Sequence, residues 1–240
     1  MSDEPVNASS VDLYGDDIGR VQLIQHYGDD KMVVNSARVS HGAHTEEVND
    51  RDKKLIKYLI KNKHTSTLEH CGVTFKFVVP LFVRSQHHRH RTWSYNEISR
   101  RYTDENLQFY EPDAFRTQHK INRQASNEDD LTNPELEQYF YLEASEKVKS
   151  HHTNSVSLYR ELTAAGICRE QARGVLPQNM YTEYYGTANL SNILKFVDLR
   201  LDSHAQWEIQ KVSQAVLDIA TELFPVTVNA YKKTKKGEDS

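Results

Sequence analysis

The alternation of apolar and polar positions predicts two strands early in the chain, with a helix between them. Residues 21–27 and 73–79 alternate apolar and polar side chains, which is the period of a strand with one buried face. Asp29 or Asp30 is placed to cap a helix that runs through Ala37, because a carboxylate accepts hydrogen bonds from the free amides of a first turn. The first third of the chain therefore mixes both kinds of element.

Helical spacing of apolar side chains then becomes the main pattern. Asp50 can cap one helix, and Pro80 is placed at the start of another that extends to about Arg91. Residues 92–102 follow as a predicted loop, which would let side chains and amides turn toward a ligand. Residues 113–132 are rich in polar side chains and are predicted to be mobile.

Long helices are predicted for the second half of the chain. Pro134 begins a helical period that continues to Gly166, which at 1.5 Å per residue gives a helix roughly 45 to 50 Å long. One small core does not need such a length, so part of this helix is expected to pack against another subunit. Two more helices are predicted over 189–201 and 204–224, the second ended by Pro225.

Strand patterns alternating with long helices indicate an α+β fold in a single mixed domain. With 240 residues and 38% hydrophobic side chains, the chain can bury one substantial core. The domain is expected to span residues 18–232, between an acidic segment, 1–17, that is predicted to be disordered and a polar tail, 233–240. The sequence contains no internal repeat, βαβ dinucleotide fingerprint or Walker loop.

Apolar runs and cysteines both favour a cytoplasmic protein. The longest apolar run, 77–83, contains Pro80 and is far shorter than the roughly 20 residues of a membrane span. The first residues lack the basic and apolar regions of a secretory signal. Cys71 and Cys168 stand far apart and outside any paired motif, and both are predicted to be reduced and buried.

The strongest chemical signal is a basic island, defined here as residues 84–101. It contains five arginines and one glutamate, a net charge of +4, whereas the whole chain carries −4, so the other residues sum to −8. A nucleic-acid binder usually spreads its positive charge over a face. The island therefore predicts a discrete site for a phosphate or carboxylate group.

Within the island, Arg89-His90-Arg91 is followed after seven residues by Ser99. Together with the preceding Gln86, this spacing resembles the signature of the flavin-dependent thymidylate synthases. Further segments extend the resemblance over most of the chain between about residues 21 and 231, namely 64–70, 166–177 and 189–208.

The resemblance implies an activity, a fold and a set of partners. Members of the family convert dUMP to dTMP by FAD-dependent reductive methylation, with 5,10-methylenetetrahydrofolate as carbon donor and NADPH as reductant. The family also implies a homotetramer with sites shared between subunits, and long helices packed on a β-sheet. Its chemistry needs no enzyme thiolate, in agreement with two cysteines that lack an activating context, and no nucleic-acid, membrane or metal partner is expected.

Roles for individual residues also follow from the resemblance. Arg200 is expected to be catalytic, because its charge would stabilise negative charge on the uracil. FAD contacts are implied for Ser66, Arg89, His90, Arg91, Glu97, Asn189, Ser191, Lys195 and His204. Substrate contacts are implied for Gln86, Arg89, Glu97, Ser99, Arg100, Arg101, Arg173 and Arg200. The residues implied to line the site are His64, Glu69, Tyr102 and Glu170.

This chain departs from many relatives at two of the flavin positions. Those relatives carry an arginine and an asparagine where this chain has Ser191 and Lys195, so Lys195 could supply the missing cation. Several assigned residues also have a purely structural interpretation. The alternatives are caps or surface groups for His64 and Glu69, an ion pair of Glu170 with Arg173, an N-cap at Asn189, and ion pairs of Arg200 with Asp198 or Asp202.

Two rival functions belong to other classes. A nucleic-acid binding module would use the arginines of the island, from Arg84 to Arg101, with Trp93 and Tyr95 as stacking groups. A flavin-free metal hydrolase would use the island's three histidines as ligands. Successive positions on a helix point in different directions, so these imidazoles do not readily converge on one ion.

Overall fold

The computed structural model describes residues 9–99, 101–102, 106–123, 125–137 and 141–237. Its strands are β1 (Ser10–Asp12), β2 (Arg20–Tyr27), β3 (Gly72–Pro80), β4 (Ser94–Glu97), β5 (Phe115–Gln118), β6 (Ser126–Thr132), β7 (Glu135–Leu136), β8 (Leu142–Glu143) and β9 (Tyr181–Asn189). Its α-helices are α1 (Asp30–Arg38), α2 (Asp50–Lys61), α3 (Leu81–His87), α4 (Ala144–Ala164), α5 (Arg169–Ala172), α6 (Leu190–Arg200), α7 (Trp207–Leu223) and α8 (Pro225–Lys235). Short 3₁₀ turns cover Val39–His41, Thr65–His70 and Arg173–Val175.

A five-stranded antiparallel sheet, in the order β1-β2-β3-β9-β4, forms the centre of the fold. β3 is buried along almost its whole length, and α6 and α7 pack against each other beside the sheet, with α7 also contacting β2 and α3. The basic island is anchored at two points, since α3 follows directly from β3 and β4 pairs with β9. The mixed α+β domain predicted from the sequence is confirmed.

Several predicted elements match the structure closely. β2 and β3 cover the two strands predicted at 21–27 and 73–79, and Asp29 caps α1 by accepting a hydrogen bond from the amide of Met32. The predicted cap of α2 is displaced by one residue. Asn49, rather than Asp50, accepts from the amides of the first turn.

Three strands of the central sheet were not predicted, namely β1, β9 and β4, the last of which lies in the predicted loop. Residues 10–12 form β1, in which Val11 pairs with Val21 of β2. The prediction that residues 1–17 are disordered is therefore wrong for this part. Residues 1–8 lie outside the described residues. β9 leads directly into α6 without an intervening turn. The sequence therefore offered no turn signal that would separate this strand from the predicted helix.

The middle of the chain contains more β-structure than its composition indicates. Residues 113–132, predicted to be mobile, include a hairpin in which β5 pairs with β6. The helix predicted from Pro134 begins only at Ala144, because β7 and β8 pair before it. Asn133 still serves this helix, since its side-chain oxygen accepts a hydrogen bond from the amide of Ser145 at 2.9 Å.

The bounds of several other predicted segments differ from the structure. α3 ends at His87, before the predicted end at Arg91, and the predicted loop over 92–102 contains β4. The proline predicted to end a helix also begins α8, a position where its missing amide costs no hydrogen bond. α8 extends into the predicted polar tail, 233–240, as far as Lys235.

No helix in the described part of the chain has the length and apolar character needed to cross a bilayer.

Candidate active site

The guanidinium of Arg200, at the last residue of α6, is fixed by two contacts inside the basic island. Its Nε donates to Nε2 of His90 at 3.0 Å, and a terminal nitrogen donates to the backbone carbonyl of Gln86 at 3.2 Å. Burial, and then the charge of Arg89, lower the pKa of Arg200, but an arginine stays protonated in proteins. A fixed positive charge therefore lies against two residues predicted to bind ligands.

The alternative ion pairs of Arg200 are not formed. Asp198 binds Lys235 at 2.7 Å, and Asp202 binds His204 at 2.8 Å through Nδ1. Arg200 is instead held by neutral partners. Its positive charge is consequently not cancelled by either neighbouring carboxylate, which keeps it available for an anionic group.

His90 acts as a hydrogen-bond acceptor, which fixes its protonation state. Because Nε2 accepts from Arg200, the ring must be neutral with its proton on Nδ1. Burial and the neighbouring charge of Arg200 lower the pKa of His90 to about 4. His90 therefore orients Arg200 and adds no positive charge to the island at neutral pH.

A tyrosine of β4 clamps the turn that carries His90. The hydroxyl of Tyr95 lies 2.9 Å from the carbonyl oxygen of His87 and 3.1 Å from that of His90, so it donates a shared hydrogen bond. His87 is fully buried, its Nδ1 lies 2.8 Å from the hydroxyl of Tyr184, and burial lowers its pKa. The turn is thus fixed by side chains of β4 and β9 that sequence analysis did not assign to the site.

Glu97 is held between two elements at the same sheet edge. Its Oε1 accepts a hydrogen bond from the hydroxyl of Thr182 at 2.7 Å. The same oxygen lies 3.2 Å from Nε of Arg84, an ion pair without hydrogen-bond alignment. The acid of the basic island is therefore fixed by β9 and α3, and half of this support comes from outside the island.

A chain of hydrogen bonds runs from Gln86 to a buried carboxylate. Nε2 of Gln86 donates to Oε1 of Gln206 at 2.5 Å, and Nε2 of Gln206 donates to Oε2 of Glu208 at 2.9 Å. Glu208 is only 4% exposed and accepts from the Arg116 guanidinium at 2.6 Å. Of these four residues, sequence analysis assigned only Gln86 to the site. The sole sequence signal for Gln206 and Glu208 was their position in the matched segment 189–208, and Arg116, in the polar segment 113–132, had none.

A cavity of about 320 Å³ lies between α2, the Thr65–His70 turn, α6 and α8. Ser191 and Lys195 line it beside His64, together with lysines that include Lys63. Ser191 is 2% exposed, and its hydroxyl has no hydrogen-bond partner among the described residues. Arg200 is nine residues beyond Ser191 and so projects from the opposite side of the helix. The structure thus places two sets of predicted residues apart within one chain.

A third set of predicted residues gathers around Arg101. Its amide donates to Oγ of Ser99 at 3.3 Å, and its guanidinium lies 3.7 Å from the carboxylate of Glu170. Glu170 therefore pairs with Arg101, and the alternative pair with Arg173 is not formed. Arg173 is exposed, and no hydrogen bond or ion pair within the described ranges joins it to Arg200.

The remaining predicted residues are less informative. Asn189 caps α6, since its side chain accepts from the amide of Asn192 at 2.9 Å, as its structural alternative required. Arg100 lies outside the described residues. The predicted residues that are exposed at the surface of the chain also include Ser66, Glu69, Arg89, Arg91, Tyr102 and His204.

The cysteines differ in environment, so the prediction that both are buried is wrong for one of them. Cys71 is buried, and burial, followed by nearby aspartates, raises the pKa of its thiol to about 12. Cys168 is exposed at the start of the short α5. Cys71 is therefore a protonated thiol at neutral pH and a poor nucleophile.

The aromatic residues of the island are not available to stack on bases. Trp93 is 5% exposed and lies with its ring centroid 4.7 Å from that of His87. The ring of Tyr95 packs on that of His88, with the centroids 4.2 Å apart, and its hydroxyl binds the turn. This removes the aromatic support for the nucleic-acid alternative.

The described residues contain no group of three or more histidines, cysteines or acids placed to hold a metal ion.

Comparison with known proteins identifies a family for this chain and agrees with its fold. A family described as "Thymidylate synthase complementing protein" matches residues 22–226. A flavin-dependent thymidylate synthase of Thermus thermophilus is 42% identical over 219 residues, 90% of this chain and 77% of that protein. One from Thermosipho africanus is 39% identical over 90% of this chain and 92% of its own length. The chain belongs to the flavin-dependent thymidylate synthase family.

A solved structure shares the fold. The UMP/dUMP methylase PolB from Streptomyces cacaoi, bound with 5-Br dUMP, is 31% identical to this chain, with a TM-score of 0.75. The likeness covers 92% of this chain and 97% of that one. PolB is thus a methylase of pyrimidine nucleotides that has the same fold as this chain.

Proposed function

We propose that this protein converts dUMP to dTMP by reductive methylation, with FAD as cofactor, 5,10-methylenetetrahydrofolate as carbon donor and NADPH as reductant. The observation that carries the proposal is the Arg200 guanidinium, held by neutral His90 and the Gln86 carbonyl in a chain of this family. The relatives' names supply the flavin and the thymidylate product, and PolB, a methylase of dUMP, supplies the substrate class.

In this proposal, the protein positions reactants and stabilises charge. Arg200 donates hydrogen bonds to the uracil and stabilises negative charge that develops on the ring during carbon transfer. Its contacts with His90 and Gln86 fix the guanidinium before substrate binds, so little reorganisation is needed during the reaction. The arginines of the island bind phosphate oxygens, for which guanidinium groups have suitable paired donors.

The residues present fit a flavin dinucleotide. The cavity beside α6 has an apolar floor, lysines at its rim, and the buried Ser191 hydroxyl without a partner in the described ranges. Lys195 can hold a phosphate oxygen there, while Ser191 can donate to one. A volume of about 320 Å³ accommodates part of the dinucleotide. When bound, the flavin supplies the hydride that completes the methyl group.

The same proposal includes a homotetramer whose sites are shared between subunits. Within the described part of the chain, the cavity at Ser191 and Arg200 lie on opposite sides of α6, and Arg101 binds Ser99 and Glu170 rather than Arg200, although the family resemblance assigns all of them to one site. Exposed apolar side chains provide surface for association, such as Val39 at 73% and Leu199 at 64%. Sites built across subunits would unite these groups without changing the fold of the chain.

Replacing Arg200 tests the proposal most directly. We expect Arg200→Ala to lower kcat for dTMP formation roughly 100- to 1000-fold, because one preorganised donor is lost. A double variant, Cys71→Ser with Cys168→Ser, is expected to keep its activity, since no thiolate is required. Arg51→Ala, on the exposed face of α2, is the matched arginine control.

The preparation itself supplies a second test. The purified protein should be yellow and should lose its flavin absorbance when NADPH is added without oxygen. A protein that takes up no flavin, or a cysteine double variant that loses all dTMP formation while Arg200→Ala retains it, would contradict the proposed mechanism.

A further inference from the structure

We infer that the buried carboxylate of Glu208 sets the direction of the hydrogen-bond chain through Gln206, so that Gln86 offers its carbonyl oxygen to a donor group of the nucleotide. Glu208 is thus a positioning residue that acts through two amides. The inference rests on the proposed function, because the ligand at Gln86 is taken to be the substrate nucleotide.

The direction follows from the chemistry of the groups. Glu208 forms an ion pair with the Arg116 guanidinium at 2.6 Å, and the carboxylate of an ion pair can only accept hydrogen bonds. Gln206 must therefore turn its NH₂ group toward Glu208, which leaves Oε1 to face Gln86. Because that oxygen can only accept, Gln86 must give its own NH₂ group to the contact at 2.5 Å.

The outcome is a defined polarity at the end of the chain. A glutamine side chain alone can rotate its amide by half a turn and present either a donor or an acceptor. Here one N–H of Gln86 is donated to Gln206, which fixes the orientation of the amide and leaves its carbonyl oxygen on the side away from Gln206. Beside it, Arg200 presents only donors. An acceptor next to donors matches uracil, which carries an N–H between two carbonyl groups.

The anchor of the chain is well suited to this task. The Glu208 carboxylate is buried, and Arg116 reaches it from the β5–β6 hairpin, where its Nε donates to Oγ of Ser126 at 3.0 Å. The Arg116 guanidinium also lies 4.8 Å from the ring centre of Trp207. The hairpin, predicted to be mobile, therefore acquires a role in fixing the substrate contact.

Nucleotide analogues combined with variants test the inference. dUMP binding is measured by titration calorimetry, with Glu208→Gln compared to the control Glu222→Gln, an exposed acid on the same helix. We expect Glu208→Gln to weaken dUMP binding roughly three- to tenfold, the range for one hydrogen bond, with Glu222→Gln unchanged. Gln206→Leu, which leaves the Glu208–Arg116 pair intact, should weaken binding to the same extent and covers the case in which Glu208→Gln does not fold.

Two analogues identify the donor. N3-methyl-dUMP lacks the ring N–H, and 2′,3′-dideoxyuridine monophosphate lacks the ribose hydroxyl. We expect the losses of binding free energy from the variants and from N3-methylation to be non-additive, so that Gln206→Leu no longer weakens binding of N3-methyl-dUMP. Additive losses with both analogues would overturn the inference. If the losses are non-additive only with the dideoxy analogue, the hydrogen-bond chain still has the inferred direction, but Gln86 accepts from the ribose hydroxyl instead of the ring N–H. A protein that binds no dUMP at all would refute the proposed function instead.

Discussion

The position of one proton decides what His90 can do. Its Nε2 accepts from Arg200 only while the ring is neutral, and burial together with that arginine maintains this state by lowering its pKa to about 4. In the sequence, His90 stands between Arg89 and Arg91, a position that suggests a third positive charge. Only the structure shows it as the acceptor that orients one.

This environment predicts an acid sensitivity. A free imidazole has a pKa of about 6.5, so as the pH falls from there toward 4 the unfolded chain binds a proton at His90 before the folded chain does. Stability is therefore present above the unfolded value and decreases toward pH 4. We expect His90→Gln to make this decrease in unfolding free energy shallower, as measured by urea titration at several pH values.

A surface histidine provides the control for this measurement. His70→Gln, at an exposed position, should leave the pH slope unchanged. His87 keeps its own lowered pKa in both variants, so the slope should diminish without vanishing. An unchanged slope for His90→Gln would mean that its ring is not held neutral by the fold.

At the scale of elements, β9 links the parts of the site. It pairs with β3 on one side and with β4 on the other, supplies Thr182 to Glu97 and Tyr184 to His87, and continues into α6, which carries Arg200. The strand passes beneath large aromatic rings at Gly186. A Cβ atom added there would lie 2.8 Å from the ring of Phe77.

The close approach at Gly186 predicts a stability effect. Gly186→Ala should destabilise the fold by roughly 1–3 kcal/mol, because the aromatic core would have to shift. Chemical denaturation measures this difference directly. Gly174→Ala is the matched control, since an added Cβ there meets no atom within 4 Å, and its free energy of unfolding should change little. Equal effects of the two substitutions would show that the rings do not constrain the strand.

At the scale of the whole molecule, two groups that the proposed reaction needs in one site belong to different elements, and no hydrogen bond or ion pair in the described part of the chain joins them. Arg173 lies on a 3₁₀ turn after α5, whereas Arg200 lies at the end of α6 and contacts the basic island. The proposed tetramer resolves this separation if one subunit contributes Arg173 and another contributes Arg200 to the same site.

Shared sites predict complementation between inactive variants. Arg173→Ala and Arg200→Ala should each be nearly inactive, whereas tetramers assembled from equal amounts of both should recover about a quarter of wild-type activity, since that fraction of sites combines two intact arginines. Mixed oligomers, purified with two different affinity tags, are assayed for dTMP formation. A mixture that stays as inactive as its components, or a protein that sediments as a monomer, would contradict shared sites.

The sequence by itself determined the local structure and the chemical groups of the site. Periodicity and caps specified β2, β3 and α1, and the spacing from Arg89 to Ser99 indicated the family, because these signals depend on residues that are close along the chain. Sequence could not specify β9, whose partners lie far from it along the chain, or the hairpin that a polar composition concealed.

Only the tertiary structure decided how the groups act. The contact of Arg200 with His90, and the path from Gln86 through Gln206 to Glu208, join side chains whose distances along the chain carry no periodic signal. Hydrogen-bond direction and pKa depend on which groups meet and how deeply they are buried. Those properties come into existence when β9, α6 and α7 pack around the basic island, and a one-dimensional pattern does not contain them.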